Sequence, residues 1–295
     1  MSTDPPTLPL IEIRALVKRF GDAVVLDGVD LRLERGETVC VIGGSGSGKT
    51  TLARILVGLE APTAGQILLD GVDLSSLSEL DRLAARRRFA MVFQKAALLD
   101  SMTVFDNVAF PLREETDFDE DEIRRRVLAQ LGELDVLEAA GQLPGELSGG
   151  MAKRVGIARA MVTEPEILVY DEPTSGLDPL TSRVVDGLIE HMRERFLVTS
   201  LVITHDMVTA LEVADRVALL SRGKIVANEA PEQIMRSGHD LVRPFVVSSG
   251  VDLDQLPSRS ARKPPAEIRA RWLAAHPPSA PSRAGGTPAE RGARG

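Results

Sequence analysis

The chain has 295 residues, is 43% hydrophobic, and carries a formal charge of -8. That apolar fraction supports a sizeable core and excludes global disorder. The negative charge is the wrong sign for a dedicated nucleic-acid binder, and 3% aromatic content argues against a surface that stacks bases or sugars.

Residues 1–9 are proline-rich and are expected to be disordered. From Ile11 to about Glu34 apolar and polar residues alternate around a turn at Gly21-Asp22, as half-buried strands do. Thr38 to Ile42 is β-branched and continuously apolar, the pattern of a strand buried on both faces. Cys40, the only cysteine, falls inside it and reads as core; one cysteine excludes an internal disulfide and fits a reducing compartment.

Gly43-Gly44-Ser45-Gly46-Ser47-Gly48-Lys49-Thr50 follows that strand and precedes the helical text TLARILVGL. It fits GxxxxGK[ST], in which glycines let backbone N–H groups wrap phosphate oxygens and the next helix offers its positive end. Lys49 can reach the β- and γ-phosphates and the Thr50 hydroxyl can ligate Mg²⁺, with Thr51 behind it. A glycine-rich turn with a surface lysine would satisfy the letters alone. The strand before and the helix after favour the phosphate cradle, which implies a bound nucleotide but leaves many families open, from kinases to GTPases.

Residues 75–150 are richer in charge and helix formers, and Asp119-x-x-Glu122 has the form of a capping box. The acidic run from Glu114 to Glu122 reads as a solvated face. Leu147-Ser148-Gly149-Gly150-Met151 then opens the helical text AKRVGIARAMV, a second anion site built from helix N–H groups. Ile167 to Tyr170 is an apolar strand ending in Asp171 and Glu172, and Leu201 to Thr204 is another, ending at His205. Asp171 is placed to hold Mg²⁺ and Glu172 to act as general base on water. Strands alternating with helices predict a parallel, helix-covered sheet, and no repeat points to a second copy of the unit. One chain has little use for two phosphate sites on one nucleotide, unless the second serves a partner's.

With these motifs in this order, residues 10–235 resemble the ABC ATPase family. The resemblance implies an α/β fold: a P-loop NTPase (RecA-like) core, an antiparallel β subdomain and an inserted α-helical subdomain over about 75–160. It also implies a homodimer in which the cradle of one copy and Ser148, Gly149 and Gly150 of the other enclose ATP. Gln94, in MVFQK, matches the Q-loop glutamine that approaches Mg²⁺ and links to a membrane subunit. Asp178, in SGLD, matches the D-loop that crosses the dimer, and His205 the switch histidine facing the γ-phosphate. Phe20 stands where the family carries an aromatic that stacks on adenine. Met151 departs from the family, whose signature ends in glutamine.

LSGGMAKRVGIARAM, FQKAALLDSMTVFDNVAFPLRE and THDMVTALEVADRVALLSRGKIV are similar to the ATPases of Mla-type phospholipid transporters, and LVRPFVVSSG to their C-terminal extension, here 241–256. That implies a permease, an MCE lipid-binding protein and a small regulatory subunit as partners, with the chain on the cytoplasmic face of the inner membrane. The alternative is the ATPase of a small-solute importer, for example for amino acids. ABC ATPases of DNA repair or translation carry coiled-coil inserts, zinc cysteines or two cassettes, none of which this chain shows. The Pro/Ala/Arg-rich tail 257–295 carries eight basic and two acidic residues and is expected to be disordered. Its stretch AEIRARWLAAH, with the only tryptophan, Trp272, is the one candidate there for docking.

Overall fold

Two kinds of strand alternate with helices along the computed structural model, which describes residues 8–251 and 263–275. In chain order these are β1 (Ile11–Phe20), β2 (Ala23–Leu33), β3 (Thr38–Ile42), α1 (Lys49–Leu56), β4 (Ala64–Leu69), β5 (Val72–Asp73), α2 (Glu79–Arg86) and β6 (Phe89–Val92). There follow α3 (Val104–Glu115), α4 (Glu120–Glu133), α5 (Gly149–Met161), β7 (Ile167–Asp171), α6 (Pro179–Phe196) and β8 (Thr199–Thr204). The chain continues through α7 (Met207–Val213), β9 (Arg216–Ser221), β10 (Lys224–Glu229), α8 (Pro231–Arg236), α9 (Arg243–Ser249) and α10 (Pro265–Ala275).

The alternating text folds into a four-stranded antiparallel sheet of order β2-β1-β4-β5, with the β1–β2 hairpin turning at Gly21-Asp22. The continuously apolar text folds into a six-stranded sheet of order β10-β9-β3-β8-β7-β6. In it β9, β3, β8, β7 and β6 run parallel and β10 is the antiparallel edge. Every residue of β3, β7 and β8 is buried, because both faces of a parallel sheet are covered. Period-two side chains divide between two cores: Val39 and Val41 face α1 and the antiparallel sheet, while Cys40 and Ile42 face the apolar residues of α3 to α7. Burying each such side chain contributes about 1.5–3 kcal/mol before entropy is counted. Parallel strands end on one edge, so the loops after β3, β6, β7 and β8 converge there.

Asp119 caps α4 by accepting the Glu122 N–H at 2.8 Å. The other half of the expected box is absent: the Glu122 carboxylate accepts from Arg125 Nε and Arg126 Nε, each at 2.7 Å. Charged neighbours one turn on outcompete a backbone N–H already near water.

The expectation for the tail needs correction. Residues 265–275 form α10, and Ile268 is fully buried against the β2–β3 turn. Arg193 Nη2 donates to Lys263 O at 2.9 Å, Arg271 Nη1 to Glu194 O at 3.1 Å, and the Arg35 guanidinium lies 3.8 Å from the Trp272 ring centroid. Composition registers how little apolar surface such a segment owns, but one isoleucine and one tryptophan suffice when a folded body supplies the other face. Residues 1–7, 252–262 and 276–295 lie outside the described residues.

Candidate active site

The loop after β3 is shaped by positions that exclude a side chain. Gly48 caps α1 at φ +104, where a Cβ would come within 2.9 Å of Val25 O, and a Cβ on Gly43 would lie 2.7 Å from Ser47 Oγ. Gly44, Ser45 and Gly46 are exposed along the rim. Lys49 is only 8% exposed; its Nζ donates to Gly43 O at 2.7 Å and Gly44 O at 3.1 Å. Burial pulls its pKa down, opposed by the charges of Glu172 and Asp171. Ser47 Oγ is buried and finds no hydrogen-bond partner among the described residues. A buried lysine folded back on carbonyls and an orphaned hydroxyl in a glycine loop are what an anion would complete.

Thr50 Oγ1 donates to Asp171 Oδ1 at 3.1 Å, which joins the start of α1 to the end of β7. Burial raises the Asp171 pKa, with the Thr50 hydroxyl opposing. Thr51, one residue on, is half-buried. Gln94, exposed beyond β6, donates through Nε2 to Ser175 Oγ at 3.2 Å. Glu172 holds φ +51, a left-handed backbone that costs a non-glycine residue about 1–3 kcal/mol and is retained where surroundings enforce it. Its N–H donates to Ile203 O at 2.8 Å, and its Oε2 lies 2.7 Å from His205 Nδ1. Sequence-distant residues of β3, β6, β7 and β8 thus meet at one edge.

Lys153 was not among the expected site residues. It lies in α5, 5% exposed, and its Nζ donates both to Gln94 O and, at 3.2 Å, to Glu172 O. One ammonium therefore ties the Gln94 loop and the Glu172 turn to the helix behind Ser148. In the sequence it looks like any basic residue of a helix.

Ser148 caps α5, its Oγ accepting the Met151 N–H at 3.3 Å. With Gly150 and Met151 it borders a separate cleft of about 280 Å³ that includes none of the phosphate-loop residues. A Cβ on Gly149 would lie 3.3 Å from Leu177 Cδ2 and one on Gly150 2.8 Å from Thr181 Cγ2. The Met151 side chain is half-buried and packs against the core. Asp178 caps α6, accepting from the N–H groups of Leu180 and Thr181 at 3.0 Å each; the Thr181 hydroxyl holds its pKa below the usual range. Phe20 ends β1 half-exposed, with Lys18 Nζ 4.6 Å from its ring centroid, on the hairpin whose second strand abuts Gly48.

A phosphate loop, a threonine–aspartate contact, a glutamate–histidine contact and a detached helix N-terminus form one constellation. The sequence profile of the family described as ABC transporter matches residues 26–175. The chain belongs to the ABC transporter ATPases. The cassette is 39% identical over 228 residues to the intermembrane phospholipid transport system ATP-binding protein MlaF of Haemophilus influenzae, spanning 77% of this chain and 86% of that one. It is 38% identical over 262 residues to the methionine import ATP-binding protein MetN of Carboxydothermus hydrogenoformans, spanning 88% and 77%. A dimeric post-hydrolysis structure of the ATP-binding cassette MJ0796 bound to ADP and Pi superposes with a TM-score of 0.68 at 30% identity, covering 75% of this chain and 98% of that one. The fold is thus that of an ABC cassette, and the chain is a nucleotide-binding, ATP-hydrolysing subunit. No described helix is long and apolar enough to cross a membrane.

Proposed function

We propose that this chain, with its cassette over about 10–240, powers phospholipid transport as a homodimer beneath a membrane permease at the cytoplasmic face of the inner membrane. The observation that carries the paired arrangement is the detachment of Ser148 from the phosphate loop, with both halves of a phosphate site in one chain. In this reading Lys49, Ser47 and the loop N–H groups bind the phosphates, and Ser148, Gly149 and Gly150 of a second copy close over them. The oxygens of Thr50, Asp171 and Gln94 suit a hard cation and would hold Mg²⁺, which supplies charge neutralisation at the phosphates. Glu172 accepts the proton of the attacking water, His205 orients that carboxylate, and Phe20 faces the base. The Asp178 carboxylate is committed to capping α6, so its loop meets the other copy through backbone.

One observation supports the lipid reading over a small-solute importer: Met151 stands in the signature where importer ATPases resemble one another in keeping glutamine. A cleft lined by Leu83, Phe89, Met91, Phe110 and Pro111 opens beside the Gln94 loop and suits a permease helix. Mass spectrometry of proteins and lipids co-purifying with the chain from its own membranes tests the cargo. A permease with an MCE-type protein and phospholipid is expected; a solute-binding protein without enriched lipid would overturn it.

A further inference from the structure

The seam between α6 and α7 holds two carboxyl groups that the active site does not use. Asp186, on α6, is 4% exposed, and the carboxyl group of Glu212, on α7, lies beside it. Arg183 pairs with Glu212 from the outer side of the seam. Asp186 Oδ1 is buried and meets no donor among the described residues. Asp186 Oδ2 lies 3.3 Å from Thr209 Oγ1, but that hydroxyl is also 3.2 Å from Asp206 Oδ2 and 3.3 Å from Thr174 Oγ1. A hydroxyl has one proton, so it cannot satisfy Asp186 and Asp206 together. Two ionised carboxylates side by side in a buried seam repel and offer no donor, whereas one proton between them makes a hydrogen bond.

The seam is not remote from the chemistry. Asp186 lines an open cleft of about 510 Å³ together with Thr174, Ser175, His205 and, from α9, Phe245 and Ser248. Asp178 caps the start of α6, and α7 begins two residues after His205. The charged or titratable groups facing Asp186 are Arg183 from its own helix and Asp206, Glu212 and His205 from α7 and its approach; α9 presents none.

We infer that Asp186 and Glu212 hold one proton between them, and that this bridge is a positioning element that sets the Asp178 loop and His205 relative to each other. The inference rests on the active-site reading above. When the proton leaves, α6 and α7 carry like charges across their contact and the two loops lose their fixed relation. Burial, with Glu212 beside it, raises the Asp186 pKa to about 7, so the change falls in the working range.

Phosphate release at saturating ATP from pH 6 to pH 8.5 tests this in the wild type, Asp186→Asn and Glu212→Gln, since either amide supplies a permanent donor. The turnover of Asp186→Asn relative to wild type is expected to rise about tenfold between pH 6 and pH 8, following loss of a proton near neutrality. Glu212→Gln is expected to show the same trend and serves if Asp186→Asn does not fold. A ratio flat with pH for both variants overturns the inference. Thermal stability separates positioning from mere structure. Wild-type stability, measured relative to the variants, is expected to fall as pH rises from about 4 to about 7, because the folded state retains a proton that the unfolded chain releases. If that fall is seen but the turnover ratio stays flat, the shared proton is structural only and the positioning role is wrong. Failure of the underlying site reading shows elsewhere, as wild-type turnover in Glu172→Gln.

Discussion

Glu172 Oε2 lies 2.7 Å from His205 Nδ1 and 3.3 Å from the His205 backbone nitrogen, so one carboxylate oxygen is held by both ends of a residue 33 positions away. The contact explains how a residue in left-handed backbone keeps its carboxylate aimed. β7 delivers Glu172, the adjacent parallel strand β8 delivers His205, and the sheet sets their separation.

Replacing Glu172 with glutamine removes the proposed proton acceptor but keeps the shape. ATP binding is expected to persist while turnover falls about 10²–10⁴-fold, the usual worth of a positioned base. Light scattering is expected to show an ATP-dependent dimer. Phosphate release at the wild-type rate would refute the assignment.

Lys153→Met keeps the length of the stem and deletes the ammonium that ties Gln94 O to Glu172 O. Two carbonyls lose their donor, costing about 1–3 kcal/mol in stability if they stay buried. Turnover is expected to drop at least tenfold with nucleotide affinity little changed, as befits a residue that positions the Glu172 turn. Equal losses in nucleotide affinity, read by fluorescent-nucleotide titration, would place Lys153 in binding instead.

Ser148→Arg sets a large cation at the N-terminus of α5. Single copies are expected to bind ATP as before, because Ser148 is apart from their own phosphate loop. The ATP-dependent dimer is expected to disappear from size-exclusion profiles in the Glu172→Gln background. A dimer that survives would contradict the sandwich.

Gly36→Ala probes the docking of α10. Gly36 sits at φ +71, and a Cβ there would fall 2.6 Å from Ile268 Cβ, so α10 must leave its seat or the turn must distort. Trp272 is the only tryptophan, and its emission is expected to shift red as the ring leaves Arg35. An unshifted spectrum would mean that the helix accommodates the methyl group.

The candidate site at the sheet edge was legible because its residues form rare combinations at fixed spacing. Glycines before Lys49 and Thr50, and adjacent carboxylates after the apolar run at Ile167, announce phosphate and water chemistry even before a fold is known. β3, β7 and β8 were legible as well, since burial on both faces leaves an unbroken apolar word. Lys153 was not, because a buried cation differs from a surface one only through what surrounds it, and its carbonyl partners come from two other segments. Nor was α10, whose stability belongs as much to Gly36 and Arg193 as to its own text. The Asp186–Glu212 contact hid for the same reason: helices separated by β8 place together two acids that read as ordinary solvent-facing positions.

Cys40 lies at zero exposure in β3, hydrogen-bonded into a sheet with β8 on one side and β9 on the other. A thiol reagent can reach it only when the central strand parts from its neighbours, because fraying at the hairpin, α9 or α10 leaves that strand covered. As the sole sulfhydryl in the chain, it converts labelling rate into a clock for global opening. Nucleotide that binds only the folded cassette slows that clock by the same factor by which it stabilises the fold, so ligand affinity can be read without following hydrolysis.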